Sequence, residues 1–292
     1  MFREDYIIKG WLMSAGVKNF TINKDLTVDV EGDVVIVKST MSGYDYLPFK
    51  FGKVTGNFSI DVPTLTTLEG CPNVVTQGAF NVFNSRIKNL KGMPKQASYV
   101  KISNASELTS LEGFPEDAII KTIEISICPN LASVKGIPKS ATVSNFNFTD
   151  CANLQSLEGL PNMIAGFLNL RNSSALKSLR GAPSEISDYL QLTGCFDLEN
   201  LEHLPHGDPS YEIFVHNSND FILKNIYYIF MSRNITKVHL GGATSTALFA
   251  KLNAVFAIVN MYLKQPYGNK RWIECQSALI DAGFEDYAEV PE

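Results

Sequence analysis

"LQSLEGLP", Leu154–Pro161, is one of seven versions of the same eight-residue phrase. The others are "LTTLEGCP", "IKNLKGMP", "LTSLEGFP", "LASVKGIP", "LKSLRGAP" and "LENLEHLP". Their leading residues are Leu65, Ile87, Leu108, Leu131, Leu154, Leu176 and Leu198, so the steps are 22, 21, 23, 23, 22 and 22 residues. Self-similarity at that period marks a solenoid, in which each repeat is one coil. The sixth letter is glycine in six copies and His203 in the seventh, and the eighth letter is always proline. Glycine permits a positive φ, and proline fixes its own φ while offering no amide hydrogen. Every coil therefore turns the same corner.

Beside each phrase lies a short alternating segment: "FSID", "FNVF", "VKIS", "IEIS", "FNFT", "LNLR", "LQLT" and, after the last phrase, "IFVH". Alternation with period two means a strand with one face buried. Because all coils turn alike, successive strands run parallel, about 4.8 Å apart. The unit is strand, short turn, L-x-x-L, then a Gly-x-Pro corner. One such coil cannot bury its own apolar side, but stacked coils share a core. The sequence thus predicts an α/β repeat solenoid, a leucine-rich-repeat-like parallel β-sheet with atypical caps.

Two columns of the stack support that register. Three residues before each leading position come Val62, Asn84, Ala105, Cys128, Cys151, Ser173 and Cys195. A small side chain there fits the turn after the strand and contacts neighbouring backbone, so the three cysteines are read as structural. No strand-adjacent histidine sits in those repeats to activate a thiolate. The second column is Glu69, Lys91, Glu112, Lys135, Glu158, Arg180 and Glu202, whose sign alternates at every step. A slip of one coil would set like charges opposite, so this charge ladder is read as a register key, not as acid–base machinery.

A solenoid needs caps. Residues 1–47 form the predicted N-terminal cap, with a short helix over 2–14 that turns Tyr6, Ile7, Trp11 and Leu12 inward, followed by strands. "VVIV" lies about one repeat before "FSID" and starts the sheet. Residues 48–217 carry seven coils of 21–23 residues. Residues 218–292 lose the phrase and form a mainly helical cap. Within it "ITKVHL" offers one more strand, and Leu248, Leu252, Val255, Val259 and Tyr262 share a helical face. A last helix runs from near Asn269 and stops before Gly283.

With 292 residues, 45% hydrophobic and 19% charged, the chain has globular composition. Its formal charge of −5 argues against a nucleic-acid partner, which requires a basic face. The apolar run "TALFAKLNAVFAIVNMYLK" is broken by Lys251, Asn253 and Asn260, so no membrane partner is expected. The first residues carry early acids and no signal-like apolar core. With five cysteines, an odd number, a reducing cytoplasm is the expected location.

Residues 18–72, "KNFTINKDLTVDVEGDV…LPFKFGKVTGNFSI…LTTLEGCP", resemble the start of leucine-rich-repeat-like proteins of tailed bacteriophages and some bacteria. The L-T-S-L-E-G-x-P units continue the likeness to about residue 217. The resemblance implies a phage protein acting in the infected host cell, and it carries over no catalytic residue. Val62, Ala105 and Ser173 depart from the Asn or Cys that the family places after the strand.

No phosphate-binding glycine loop, nucleophile elbow or paired Cys-x-x-Cys is present. "EHLPHGDP" gathers His203, His206 and Asp208, but Pro205 spoils their presentation and a loop variant is the plainer reading. Neither metal, cofactor nor catalytic residue is expected. What remains is the outward face of the sheet. One column there is Ser59, Asn81, Lys101, Glu124, Asn147, Asn169, Gln191 and Phe214. Toward the C-terminal coils, Phe167, Asn169, Arg171, Tyr189, Gln191, Phe214 and His216 collect residue types enriched where proteins recognise partners. The expectation is a non-enzymatic scaffold that binds a protein, either a host factor or a defence component. The alternative is a virion or surface component gripping a glycan or structural neighbour; a hydrolase ranks below both.

Overall fold

The computed structural model describes residues 2–41, 43–207, 210–215, 221, 224–232, 235–240, 246–263 and 269–289. After helix α1 (Phe2–Ser14) come strands β1 (Phe20–Ile22), β2 (Val28–Val30) and β3 (Val34–Val37), and a single turn α2 (Lys38–Met41). Strands β4 (Phe51–Val54) and β5 (Phe58–Asp61) follow. The longest strands are next: β6 (Val74–Phe83), β7 (Gln96–Ser103), β8 (Ile119–Ser126) and β9 (Thr142–Thr149). Shorter ones succeed them: β10 (Met163–Ile164), β11 (Leu168–Asn169), β12 (Glu185–Ile186), β13 (Tyr189–Gln191) and β14 (Tyr211–Val215). The chain closes with α3 (Ile226–Met231), β15 (Ile235–Leu240), α4 (Thr246–Leu263) and α5 (Asn269–Asp281).

The result is a parallel β-solenoid of about nine turns with few helices. Equivalent residues of successive coils pair directly, as in Phe58↔Phe80↔Val100↔Ile123↔Phe146↔Leu168↔Leu190↔Ile213. Each coil presents two strand segments, not one. The first pairs Val75, Ala97, Ile120 and Val143, the second starts at Ala79, Tyr99, Thr122 and Asn145, and one unpaired residue marks the bend in β7, β8 and β9. In later coils the first segment survives as the β10–β12 pair. The sheet runs past the repeats at both ends, since β3 pairs with β5 and β15 pairs with β14, both in parallel.

The inner strand face closes against the L-x-x-L segments. Leu65 and Leu68, Ile87 and Leu90, Leu108 and Leu111, Leu131 and Val134, and Leu154 and Leu157 are all fully buried. Each such side chain contributes about 1.5–3 kcal/mol through removal from water. The corner glycines 70, 92, 113, 136, 159 and 181 all have positive φ, and His203 adopts the same conformation at φ 66°. The shared corner inferred from the letters is the corner that forms.

At the C-terminal end of the stack a side chain stands in for a missing neighbour. Within the stack, Leu90 N donates to Glu112 O and Leu111 N to Lys135 O of the following coil. At the end of the stack Leu201 N donates instead to Oδ1 of buried Asn225, at 2.7 Å. A side chain there takes the role of the next coil's backbone and satisfies a buried donor. Tyr211, also buried, donates from its hydroxyl to Pro205 O at 2.9 Å. Gly283, at φ 79°, ends α5, and Phe284 N donates back to Leu279 O, a Schellman-type stop.

Two expectations require correction. In α1 the buried face is Ile8 and Leu12, with Trp11 half-buried edge-on to Phe49; Tyr6 and Ile7 are 80% and 66% exposed. Ile8 and Leu12 are one helical turn apart, which fixes the inward stripe and turns Tyr6 and Ile7 away from it. In the second coil the small buried residue after the strand is Ser85, not Asn84. Asn84 joins a left-handed column with Asn104, Ile127, Asp150, Asn172 and Gly194. Its amide donates to Asp61 Oδ1 and its Oδ1 accepts from Asn104, at 2.9 and 2.8 Å. Of the residues expected on one face of α4, Val255 and Val259 are buried and Tyr262 is half-buried; the side chains of Leu248 and Leu252 lie outside the described ones.

Candidate functional site

The outward sheet face divides into two regions. Over the N-terminal and middle coils its polar groups serve one another. Asn81 Nδ2 donates to Ser59 Oγ at 3.1 Å. Glu124 is a hub: Lys101 Nζ lies 2.8 Å from its Oε1, and Tyr99 donates from its hydroxyl to Oε2. Ser126 Oγ and Asn147 Nδ2 also donate to it, at 3.3 and 3.5 Å. Burial alone would raise the Glu124 pKa, but the bonds from Lys101 and Tyr99 outweigh it and hold the carboxyl below its usual range. Burial, then the contact with this carboxylate, pushes the Tyr99 phenol up.

Over the C-terminal coils the same columns turn aromatic. Phe167 and Tyr189 stack with centroids 4.8 Å apart and planes 6° from parallel. Tyr189 meets Phe214 edge-on at 5.6 Å. Phe214 stacks on His239 at 4.0 Å and 2°. These four half-buried rings form one row across four coils. Burial, with help from the Asp188 charge, pushes the Tyr189 phenol up. On one flank lie Asn169, Gln191 and exposed Arg171; on the other lie Glu212 and Lys237. Asn169 Oδ1 accepts from Arg171 N at 3.0 Å, and Gln191 Oε1 accepts from the Thr193 hydroxyl at 2.5 Å. Glu212 is held by His239 Nε2 at 2.6 Å. Among the described residues the Arg171 guanidinium has no ion-pair partner.

Of the residues singled out from sequence, Phe167, Asn169, Arg171, Tyr189, Gln191 and Phe214 therefore share one surface. His216 lies outside the described residues. His239 was missed as a member of this row. Its signal was the alternation of "ITKVHL", which puts Val238 opposite Ile213 and His239 opposite Phe214.

The other clusters resolve into local structure. In the charge ladder, Glu69 pairs with Lys91 at 2.6 Å and Lys135 with Glu158 at 3.2 Å. Among the described residues no ion pair joins Glu112, Arg180 or Glu202 to a ladder neighbour. All five cysteines are buried thiols. Burial pushes the Cys128 thiol up to about 11 and those of Cys151 and Cys195 to about 12. Cys151 and Cys195 donate to Ile125 O and Leu170 O of the preceding coil. His203 and His206 are exposed, Asp208 lies outside the described residues, and among the described residues no three His, Cys, Asp or Glu could hold a metal ion. A recess of about 440 Å³ lined by Thr27, Lys50, Asn73 and Lys91 lies on the corner side of the first coils. No helix among the described residues is long and apolar enough to cross a membrane.

No family model, curated protein or solved structure matches this chain.

Proposed function

We propose that the protein is a non-enzymatic docking scaffold of leucine-rich-repeat type, which binds a protein partner through the outward face of its C-terminal coils. The observation that carries this reading is the division of that face. Its N-terminal part spends its polar groups on itself, whereas its C-terminal part offers a row of aromatic side chains beside an arginine with no ion-pair partner among the described residues. Aromatic and arginine side chains on a pre-formed surface supply binding energy at low ordering cost. The likeness of residues 18–72 and of the L-T-S-L-E-G-x-P units to phage proteins suggests that the partner is a host or defence protein met in the infected cell.

Two features weigh against the competing readings. The amide oxygens suited to sugar hydroxyls already accept bonds from Arg171 N and Thr193. Glu124, the most enclosed carboxylate of the face, is held by Tyr99 and Lys101. The test is capture from infected-cell lysate with the purified protein as bait. A defined protein should be retained, and Arg171→Glu or Tyr189→Ala should release it while the fold persists. Retention unchanged by both substitutions removes this face from consideration.

A further inference from the structure

The geometry points to a partner segment that meets the aromatic row with apolar side chains and places a carboxylate over Arg171, in preference to a cation, a sugar ring or a nucleobase. The inference rests on the docking reading and specifies the chemistry of what docks.

It follows from how the rings are arranged. Cations, sugars and bases engage the face of an aromatic ring, where the π density is negative. In this row the rings spend faces on one another. Phe167 and Tyr189 cover each other at 4.8 Å, as do Phe214 and His239 at 4.0 Å. The junction between the pairs is filled by the edge-on contact of Tyr189 with Phe214. On the far side of Phe167 the same column is occupied by Asn145, whose Oδ1 accepts a bond from Phe167 N. The half-buried rings thus turn their rims outward. A ring rim is apolar and carries the positive end of the quadrupole. It suits aliphatic side chains, the face of an incoming aromatic ring, or a carboxylate oxygen.

Charge distribution adds direction. The exposed guanidinium of Arg171 stands on the Asn169 and Gln191 flank. The opposite flank carries charges of both signs: Asp188, which bears on Tyr189, Glu212, which His239 already engages, and the exposed Lys237 paired across from Glu212. An acidic group on the partner is attracted to the Arg171 flank and meets a mixed field on the other, where Lys237 offsets the acids, so Arg171 sets the orientation of the segment. Extended chain at about 3.4 Å per residue crosses four coils spaced about 4.8 Å apart in roughly five residues.

Two fluorescein-labelled pentapeptides, Phe-Leu-Asp-Leu-Phe and Phe-Leu-Lys-Leu-Phe, provide the test, read by fluorescence anisotropy on the full chain. The aspartate peptide should bind more tightly by roughly fivefold, the factor that one exposed ion pair supplies. Arg171→Glu should reverse the order, and Tyr189→Ala should weaken both peptides. Equal or tighter binding of the lysine peptide overturns the proposal. So does failure of both peptides to bind at millimolar concentration, or binding of chitohexaose that Tyr189→Ala abolishes. If the lysate partner is still lost from both variants while the peptide order fails, docking stands and only the partner chemistry falls.

Discussion

The imidazole of His239 lies 4.0 Å from the ring of Phe214 and within 2° of parallel, with its Nε2 at 2.6 Å from the Glu212 carboxylate. That contact ties a strand beyond the last repeat phrase into the aromatic row.

Removing the ring of Phe214 severs two contacts, one to Tyr189 and one to His239. Aromatic pairs contribute about 0.5–1.5 kcal/mol each beyond area burial. Phe214→Ala should therefore lower the urea-unfolding free energy by about 1–3 kcal/mol. His239→Ala loses one stack and should cost about half as much, whereas His239→Phe keeps a ring in place and should stay close to wild type. Equal loss from His239→Ala and His239→Phe would mean that the Glu212 bond, not the stack, holds β15.

Gly136 shows how tightly the coils nest. Its φ is 116°, and a Cβ there would lie 2.4 Å from Glu112 N and from the Leu111 carbonyl group. Backbone cannot yield as a flexible side chain can, so Gly136→Ala combines a strained φ with a clash. It should cost well over about 1 kcal/mol. Gly10, in α1, has open space around its Cβ direction, and Gly10→Ala should stabilise by about 0.5–1 kcal/mol. Thermal melts of the two variants should shift in opposite directions.

The corner glycines, the L-x-x-L core and the strand register were legible because each is enforced seven times by the same steric and burial demands. A repeated position reports its constraint even when one copy departs, as His203 does while keeping a positive φ. The two ends of the chain were read less well, because their contacts occur once and are not repeated from coil to coil. Nothing in the letters says that Asn225 replaces a coil's backbone at Leu201, or that α1 turns Ile8 in preference to Ile7. The column after the strands slipped at Asn84 because the buried Ser85 lies two residues before Ile87, where later coils have three, so that the counted position falls on a left-handed asparagine. On the candidate face, composition marked Phe167, Tyr189 and Phe214. Their stacking and the entry of His239 depend on register between distant coils, which composition does not carry.

The Tyr99–Glu124–Lys101 cluster gives stability two pH limits of opposite sign. Burial opposes ionisation of Glu124, but bonds from Lys101 and Tyr99 prevail and set its folded pKa below the ordinary 4.5. Its contribution is complete above pH 4.5 and is lost as pH falls through the lower folded value. Tyr99 behaves inversely: burial, then the bond to Glu124, raises its pKa above the ordinary 10.0. The neutral phenol's contribution is complete below pH 10 and disappears as pH climbs toward the raised value. Urea midpoints measured across both ranges should fall at each end. Tyr99→Phe should flatten the alkaline limb, at a cost of about 1–3 kcal/mol near neutrality because Glu124 loses a charged hydrogen bond. Glu124→Gln should remove that carboxyl's share of the acid limb and bring the ionisation of Tyr99 closer to its ordinary value. An acid limb as steep in Glu124→Gln as in the wild type would show that the hub contributes nothing to the pH dependence of folding.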